Sequence, residues 1–223
     1  MSALYGAMLD DLVDEAKQEE DVVGVLLTGS LARGDALPGT DIDLRLILAD
    51  GLHRPAQKEL RDGILVERGY ADEATARATL EANPMHDYAY LDGRILHDPL
   101  GVLPRLRQQA QHRFDTYQVT EQERSDLAAR LRYPQDKIRV AMSGGDLVKA
   151  AFVTGTSSWG IMEGLWAANN RPLPPNSSVQ PHLQDLAGPP DVETLYRQLF
   201  VSGTRERIRV ALELFDWILS ELT

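Results

Sequence analysis

Two carboxylates stand one residue apart inside an otherwise apolar run. They are Asp41 and Asp43, within "GSLARGDALPGTDIDLRL", Gly29 to Leu46. In an extended strand, residues two apart face the same side. Asp41 and Asp43 therefore project together, while Ile42, Leu44, Leu46 and Leu48 share an opposite, wholly apolar face. Aligned carboxylates repel unless a cation neutralises them, and a doubly negative, all-oxygen site is what Mg²⁺ prefers. Separated from Asp41 by ten residues, Gly29 and Ser30 close a β-branched run. Glycine lets backbone approach a phosphate closely, and a serine with the free N–H groups of a helix start can bind phosphate oxygens. One strand end gripping a polyphosphate, beside another holding the metal that neutralises it, points to phosphoryl or nucleotidyl transfer. An isolated D-x-D is more often a solvated strand end; the Gly-Ser spacing and the strands on both sides tip the balance towards function.

The elements that must position these residues are legible as patterns. Leu4, Met8, Leu12 and Ala16 recur at helical intervals and predict an amphipathic helix ending before Asp21. "VVGVLLT" (Val22 to Thr28), "DIDLRLIL" (Asp41 to Leu48) and "GILVERGYA" (Gly63 to Ala71) read as strands. "DYAYLDGRILHD" (Asp87 to Asp98) places Asp-Gly between two short apolar runs, which predicts a tight hairpin. After Pro104 strand signals stop. Thr120 and Glu123 have capping-box spacing, and a helical pattern runs from about Asp136 to Asn170, weakened by Gly144 and Gly145. A Pro-rich loop covers Asn170 to Pro190. Two further helices follow, the last with an apolar stripe of Ile208, Ala211, Leu212, Phe215, Ile218, Leu219 and Leu222. The expected architecture is α+β, a mixed and partly antiparallel sheet flanked by helices in residues 1–104, followed by an all-helical bundle in residues 105–223.

Composition narrows the chemistry. A chain of 223 residues without cysteine excludes disulfides, thiolate catalysis and Cys-ligated zinc. The N-terminal segment turns acidic too early for a signal peptide, and no apolar run approaches the roughly 18 residues of a membrane helix, so a cytoplasmic location is expected. A net charge of −11 opposes general nucleic-acid binding and suits a cationic small-molecule partner.

Gly29-Ser30, then ten residues, then Asp41-Ile42-Asp43, resembles the signature of the DNA polymerase β-like nucleotidyltransferase superfamily. The stretch is similar to the antibiotic-modifying branch that includes kanamycin and streptomycin adenylyltransferases. The resemblance is specific over Val22 to Leu48, weaker through "YLDGRILHDPLGVLPRL", and only architectural beyond. It implies metal-dependent transfer of AMP from ATP to a hydroxyl, with release of pyrophosphate and with two Mg²⁺ ions as cofactors. Asp41 and Asp43 would be catalytic metal ligands. Glu67, alternating with Leu65 and Gly69 on its strand, resembles the third carboxylate and would serve as metal ligand or general base; Asp62 and Asp72 are weaker candidates. Nucleotide contacts would come from Gly29, Ser30, Arg33, Thr40, Arg45 and Lys149. The acceptor would be a small molecule, an aminoglycoside or lincosamide, met by the helical domain; no nucleic acid or membrane is expected, and the chain would be a monomer or homodimer. Alternatives are a protein-modifying enzyme of the toxin–antitoxin type, whose minimal versions lack a large helical half, and a silent nucleotide-binding protein.

Several residues carry two readings. Arg45 shares the face of the carboxylates and is either their charge partner, the reading preferred here, or a triphosphate contact. Lys149, in "DLVKAAF", is a solvated lysine or reaches the nucleotide. Asp146 and Glu163 could bind a cationic acceptor. His53, His86, His97, His112 and His182 lack ligand spacing. Trp159, Trp166 and Trp217 read as core, with Trp159 or Trp166 as a possible pocket wall. Arg33-Gly34-Asp35 and Asn176-Ser177-Ser178 match an integrin tripeptide and a glycosylation pattern by coincidence. Relatives of the resembled branch often carry a lysine where this chain has Asn176-Ser177-Ser178.

Overall fold

The computed structural model describes residues 3–223, with the side chains from Tyr5 onward. The chain divides into two compact units, Met1–Thr116 with Pro174–Ser178, and Tyr117–Leu173 with Val179–Thr223. The first unit is α+β and the second is helical.

In the first unit, helix α1 (Ala3–Gln18) leads into strand β1 (Val22–Thr28), the short helix α2 (Gly29–Arg33) and strand β2 (Ile42–Leu48). A hairpin follows, β3 (Gln57–Arg61) and β4 (Ile64–Asp72), then α3 (Glu73–Ala82), α4 (Asp87–Leu91), β5 (Arg94–His97) and α5 (Val102–Thr116). Among the described residues these strands form one five-stranded sheet in the order β3-β4-β2-β1-β5. The β2–β4 pair is parallel and the other pairs are antiparallel.

Strand periodicity divides the core between the two faces of the sheet. Ile42, Leu44, Leu46 and Leu48 of β2 join Val25 and Leu27 of β1 in a cluster with Met8, Leu9, Leu12 and Ala16 of α1. The side chain of Leu4, the first member of the predicted α1 stripe, lies outside the described residues. On the other face Leu26 and Ile47 pack with Ala76 and Leu80 of α3 and with Leu103 and Leu106 of α5. That packing carries the first unit past Pro104 to Thr116.

The predicted hairpin at Asp92-Gly93 does not form. Asp87–Leu91 is helix α4, which buries Tyr88 and Tyr90, and only Arg94–His97 is strand. Gly93 answers a packing need instead, since a Cβ there would lie 2.5 Å from the Ala89 carbonyl oxygen and 2.8 Å from Leu26 Cδ1. The tight hairpin is at Asp62-Gly63, where φ values of 50° and 80° supply the left-handed pair that a two-residue turn requires. Its first strand, "QKELR", has no apolar alternation, and Leu60 is 74% exposed, so periodicity gave it no signal.

The second unit contains α6 (Glu121–Ser143), α7 (Leu147–Thr156), α8 (Ser158–Ala168), α9 (Val192–Val201) and α10 (Thr204–Leu222). Thr120 and Glu123 form the capping box that opens α6. That helix then runs through Pro134, joining the two helical stretches that the sequence suggested. Burial of Leu131, Gln135 and Ile138 on either side holds it together despite the missing N–H. It stops at Gly144-Gly145, Gly145 having φ +76°. Leu165, Trp166, Leu214, Phe215 and Ile218 are among the buried residues of this unit's core. In α10 the predicted Ile208, Ala211, Phe215, Ile218 and Leu222 are buried, with Leu212 and Leu219 at the margin. None of the helices among the described residues is long and apolar enough to cross a membrane.

Asp72, a secondary candidate for the third acid, has a structural task. Its buried carboxylate accepts from Thr75 N at 2.8 Å, capping α3, and from Gly51 N at 2.9 Å. Hydrogen bonding, chiefly from Thr75, holds its pKa down at about 2. A depressed carboxyl stabilises the fold above its unfolded pKa of 3.8 and loses that contribution as pH falls towards 2. Asp72→Ala is expected to lose about 1–2 kcal/mol in urea denaturation at neutral pH, and the difference from the unsubstituted protein should shrink from pH 4 downward.

Candidate functional site

Strand register assembles the polar side of the sheet. Thr28 of β1 pairs with Asp43 of β2, Asp43 pairs with Glu67 of β4, and Glu67 pairs with Lys58 of β3. Residues opposed in register share a face, so Thr28, Asp43, Glu67 and Lys58 form one row across four strands. Asp41 lies just before the first residue of β2, Ile42. In the next row Arg45 is opposed by Gly69, which has no side chain to fill the space beside it. A cavity of about 370 Å³ opens there, its lining including Thr28, Asp43, Arg45, Glu67, Gly69 and Tyr90.

Gly29 begins α2 with φ +69°, a left-handed conformation that an L side chain rarely adopts. A Cβ at this position would also lie 2.5 Å from Asp43 Oδ2. The glycine thus lets the carboxylate rest against the turn that joins β1 to α2. Ser30 Oγ and Thr40 Oγ1 share a hydrogen bond of 2.8 Å, and the Tyr5 hydroxyl donates to the Thr40 carbonyl at 2.8 Å. These bonds fix the two ends of the loop between α2 and β2.

Burial is the first cause pushing the Asp43 carboxyl above its usual range, followed by the charges of Asp41 and Glu67; Arg45 and Lys58 oppose the shift. Arg45 has its guanidinium 5.4 Å from the centroid of the Tyr90 ring, a cation–π arrangement. Burial, with Arg45 adding to it, depresses the His86 pKa. Glu67 forms an ion pair with Lys58, Oε1 to Nζ 2.5 Å.

Oxygen donors and negative charge at Asp41 and Asp43, only partly offset by Arg45 and Lys58, fit a hard divalent cation. The third carboxylate is differently engaged. Among the described residues no group of three or more His, Asp or Glu side chains is gathered as a metal site. Glu67 instead takes its counter-charge from Lys58, so the predicted ligand set of Asp41, Asp43 and Glu67 is not assembled in this conformation.

The remaining candidates fall in different surroundings. Arg33 is only 9% exposed in its side chain. It donates to Ser178 Oγ at 2.9 Å, to the Ser177 carbonyl at 3.2 Å and to Asp35 at 3.2 Å, with Asp92 at 3.7 Å. Its guanidinium is committed to holding Ser177 and Ser178 within the first unit. Lys149 is exposed on α7 of the second unit. There Asp146 caps α7 by accepting from Lys149 N at 3.0 Å, and Glu163 pairs with Arg130 at 2.6 Å. Trp166 is core, whereas Trp159 is exposed. Lys58 and Tyr90 were missed. For Lys58 a signal was present, because a two-residue turn at Asp62-Gly63 sets Arg61 opposite Ile64 and hence Lys58 opposite Glu67.

Residues 9–91 match the model of the nucleotidyltransferase domain family. That match covers strands β1 to β4, the Gly-Ser turn, the carboxylate row and Tyr90. A search of curated proteins gives no match. Among solved structures the chain is similar to a nucleotidyltransferase-like protein from Exiguobacterium sibiricum 255-15, with 19% identity over 95% of this chain and 73% of that one, at a TM-score of 0.44.

Gly29→Ala meets both a strained φ and the Asp43 carboxylate. The variant is expected to lose about 1–3 kcal/mol of stability by urea denaturation. An unchanged midpoint would show that the turn relaxes without the glycine.

Proposed function

We propose that this chain, whose residues 9–91 match the nucleotidyltransferase domain family, transfers AMP from ATP to a hydroxyl of a cationic small molecule, an aminoglycoside or lincosamide antibiotic, and releases pyrophosphate. The observation that carries the reading is the contact of two elements: the Gly29-Ser30 turn at the end of β1, and the Asp43 carboxylate resting against it from β2. Phosphate and the cation that neutralises it need neighbouring sites, and these two elements are adjacent.

In this reading the backbone at Gly29 and the Ser30 hydroxyl hold triphosphate oxygens, while the bond from Ser30 to Thr40 keeps the loop in shape. Asp41 and Asp43 would hold Mg²⁺, which supplies neutralisation of the triphosphate and of the departing pyrophosphate. The acceptor hydroxyl passes its proton to Glu67, and its oxygen bonds to the α-phosphorus as the bond to pyrophosphate breaks. Arg45, stacked on Tyr90, keeps a fixed positive charge beside Asp43 and is a positioning residue. The choice of a cationic acceptor is supported by the net charge of −11 and by the sequence resemblance; the choice of ATP is supported by the resemblance.

Pyrophosphate release with ATP and Mg²⁺ across aminoglycosides, lincosamides and a protein lysate tests the reading. An antibiotic-dependent signal supports it; labelling confined to lysate proteins favours protein modification; ATP binding with no release favours a silent site. Asp43→Asn should reduce any divalent-dependent release by at least about 100-fold, the scale of losing a charge-stabilising group, while the urea midpoint stays close to that of the unsubstituted protein. Near-normal release from that variant would sink the metal assignment.

A further inference from the structure

The row of opposed residues ends in a cation that the chemistry above does not use. Lys58 comes from the edge strand β3, sits directly across from Glu67, and reaches it with Nζ 2.5 Å from Oε1. Its side chain is 64% exposed, so the ammonium is held by Glu67 rather than by packing. The charge of Lys58 also acts on Asp43. The charges that act on Asp43 are Asp41 and Glu67 against Arg45 and Lys58, and the two cations are built differently. Arg45 lines the cavity under Tyr90. Lys58 stands on an exposed stem at the sheet edge, with Glu67 as its partner.

We propose that Lys58 is a tethered counter-ion of the carboxylate row, engaging Glu67 when no divalent cation is bound and lowering the row's affinity for such a cation by competing with it. The inference rests on the assignment of Asp41 and Asp43 as cation ligands. A single positive charge next to a carboxylate row works against a second, divalent one in two ways, by direct repulsion and by occupying Glu67. Because Lys58 is largely exposed, water and salt weaken both effects, and the change in affinity is expected to be several-fold rather than many orders of magnitude. Glu67 becomes available to a bound cation, or to an acceptor proton, only as Lys58 releases it.

Mn²⁺ alone, titrated into the full chain and followed by calorimetry or by the loss of its free paramagnetic signal, reads this affinity without any turnover. Lys58→Met keeps length and removes the charge; it is expected to bind Mn²⁺ about three- to tenfold more tightly than the unsubstituted protein, the scale of a screened charge contact. Lys58→Arg, which keeps the charge, should restore the weaker binding. A role limited to holding the hairpin together would leave the affinity unchanged or reduce it in Lys58→Met, and either result overturns the proposal. The urea midpoint of each variant verifies that the fold is retained. Asp43→Asn separates the two ideas. If it abolishes Mn²⁺ binding while Lys58→Met gives no tightening, the cation site stands and the Lys58 role falls. If Lys58→Met tightens binding but Asp43→Asn changes nothing, the cation is held away from Asp43, and the assignment of Asp43 falls together with competition at the row. Absence of binding in every form overturns both.

Discussion

The register of β2 between β1 and β4 is the constraint on which the arrangement of the site depends. Side chains alternate along a strand, so a slip of one residue would turn Ile42, Leu44, Leu46 and Leu48 out of the α1 core and drive Asp43 and Arg45 into it. Four buried aliphatic side chains at about 1.5–3 kcal/mol each oppose that slip, and burying a carboxylate without a partner adds to the opposition. The apolar face thereby fixes where the polar one lies. With β2 held, its pairing with β1 sets Asp43 beside Thr28 and the Gly29 turn, and its pairing with β4 sets Asp43 beside Glu67. No residue of the row chooses its own position; each inherits it from the pairing of neighbouring strands.

The same register concentrates charge of one sign, and much of the local structure answers that. Asp43 is partly buried next to Asp41 and Glu67, which raises its carboxyl. Gly29 relieves the crowding by offering no Cβ where the carboxylate lies. Arg45 offsets part of the repulsion from a position defined by Tyr90. Arg33, although close in sequence to the Gly29-Ser30 turn, spends its hydrogen bonds on Ser177, Ser178 and Asp35, which anchors a later segment of the chain to the first unit. A guanidinium with its donors so occupied acts on the turn through structure, by fixing the end of α2.

How much of this could be read from the sequence depended on the kind of signal each part left. β1 and β2 were legible because their apolar runs are strong and bounded by Gly29, and the carboxylate pair followed from the period of two. The capping box of α6 and the apolar stripe of α10 were legible for similar reasons. The hairpin was misassigned because Asp-Gly recurs along the chain and marks a tight hairpin only at Asp62-Gly63. At Asp92-Gly93 the preceding Tyr88 and Tyr90 bury from a helix; at Asp62-Gly63 the flanking "QKELR" is an exposed edge strand without hydrophobic alternation. Turn chemistry was the only evidence for β3, and Lys58 was lost with it. The continuity of α6 through Pro134 was likewise decided by burial of its neighbours, which local propensity does not report.

An edge strand with polar alternation resists pairing with another chain, the usual reason for charge at a sheet edge. Glu59 and Arg61 fit that reason, pairing locally with Arg68 and Glu15. Lys58 meets it too, yet its side chain lies on the other face, in the row with Glu67 and Asp43. Alternation makes both uses possible in one short strand: Glu59 and Arg61 on one face screen the edge against association, and Lys58 on the other places a cation at the end of the carboxylate row. A fixed guanidinium under an aromatic ring supplies a constant field; an ammonium on a flexible, exposed stem supplies a charge that a stronger competitor can displace. Lys58 satisfies the resting repulsion of the row without being locked into it, because the hairpin turn, rather than the core, puts it there.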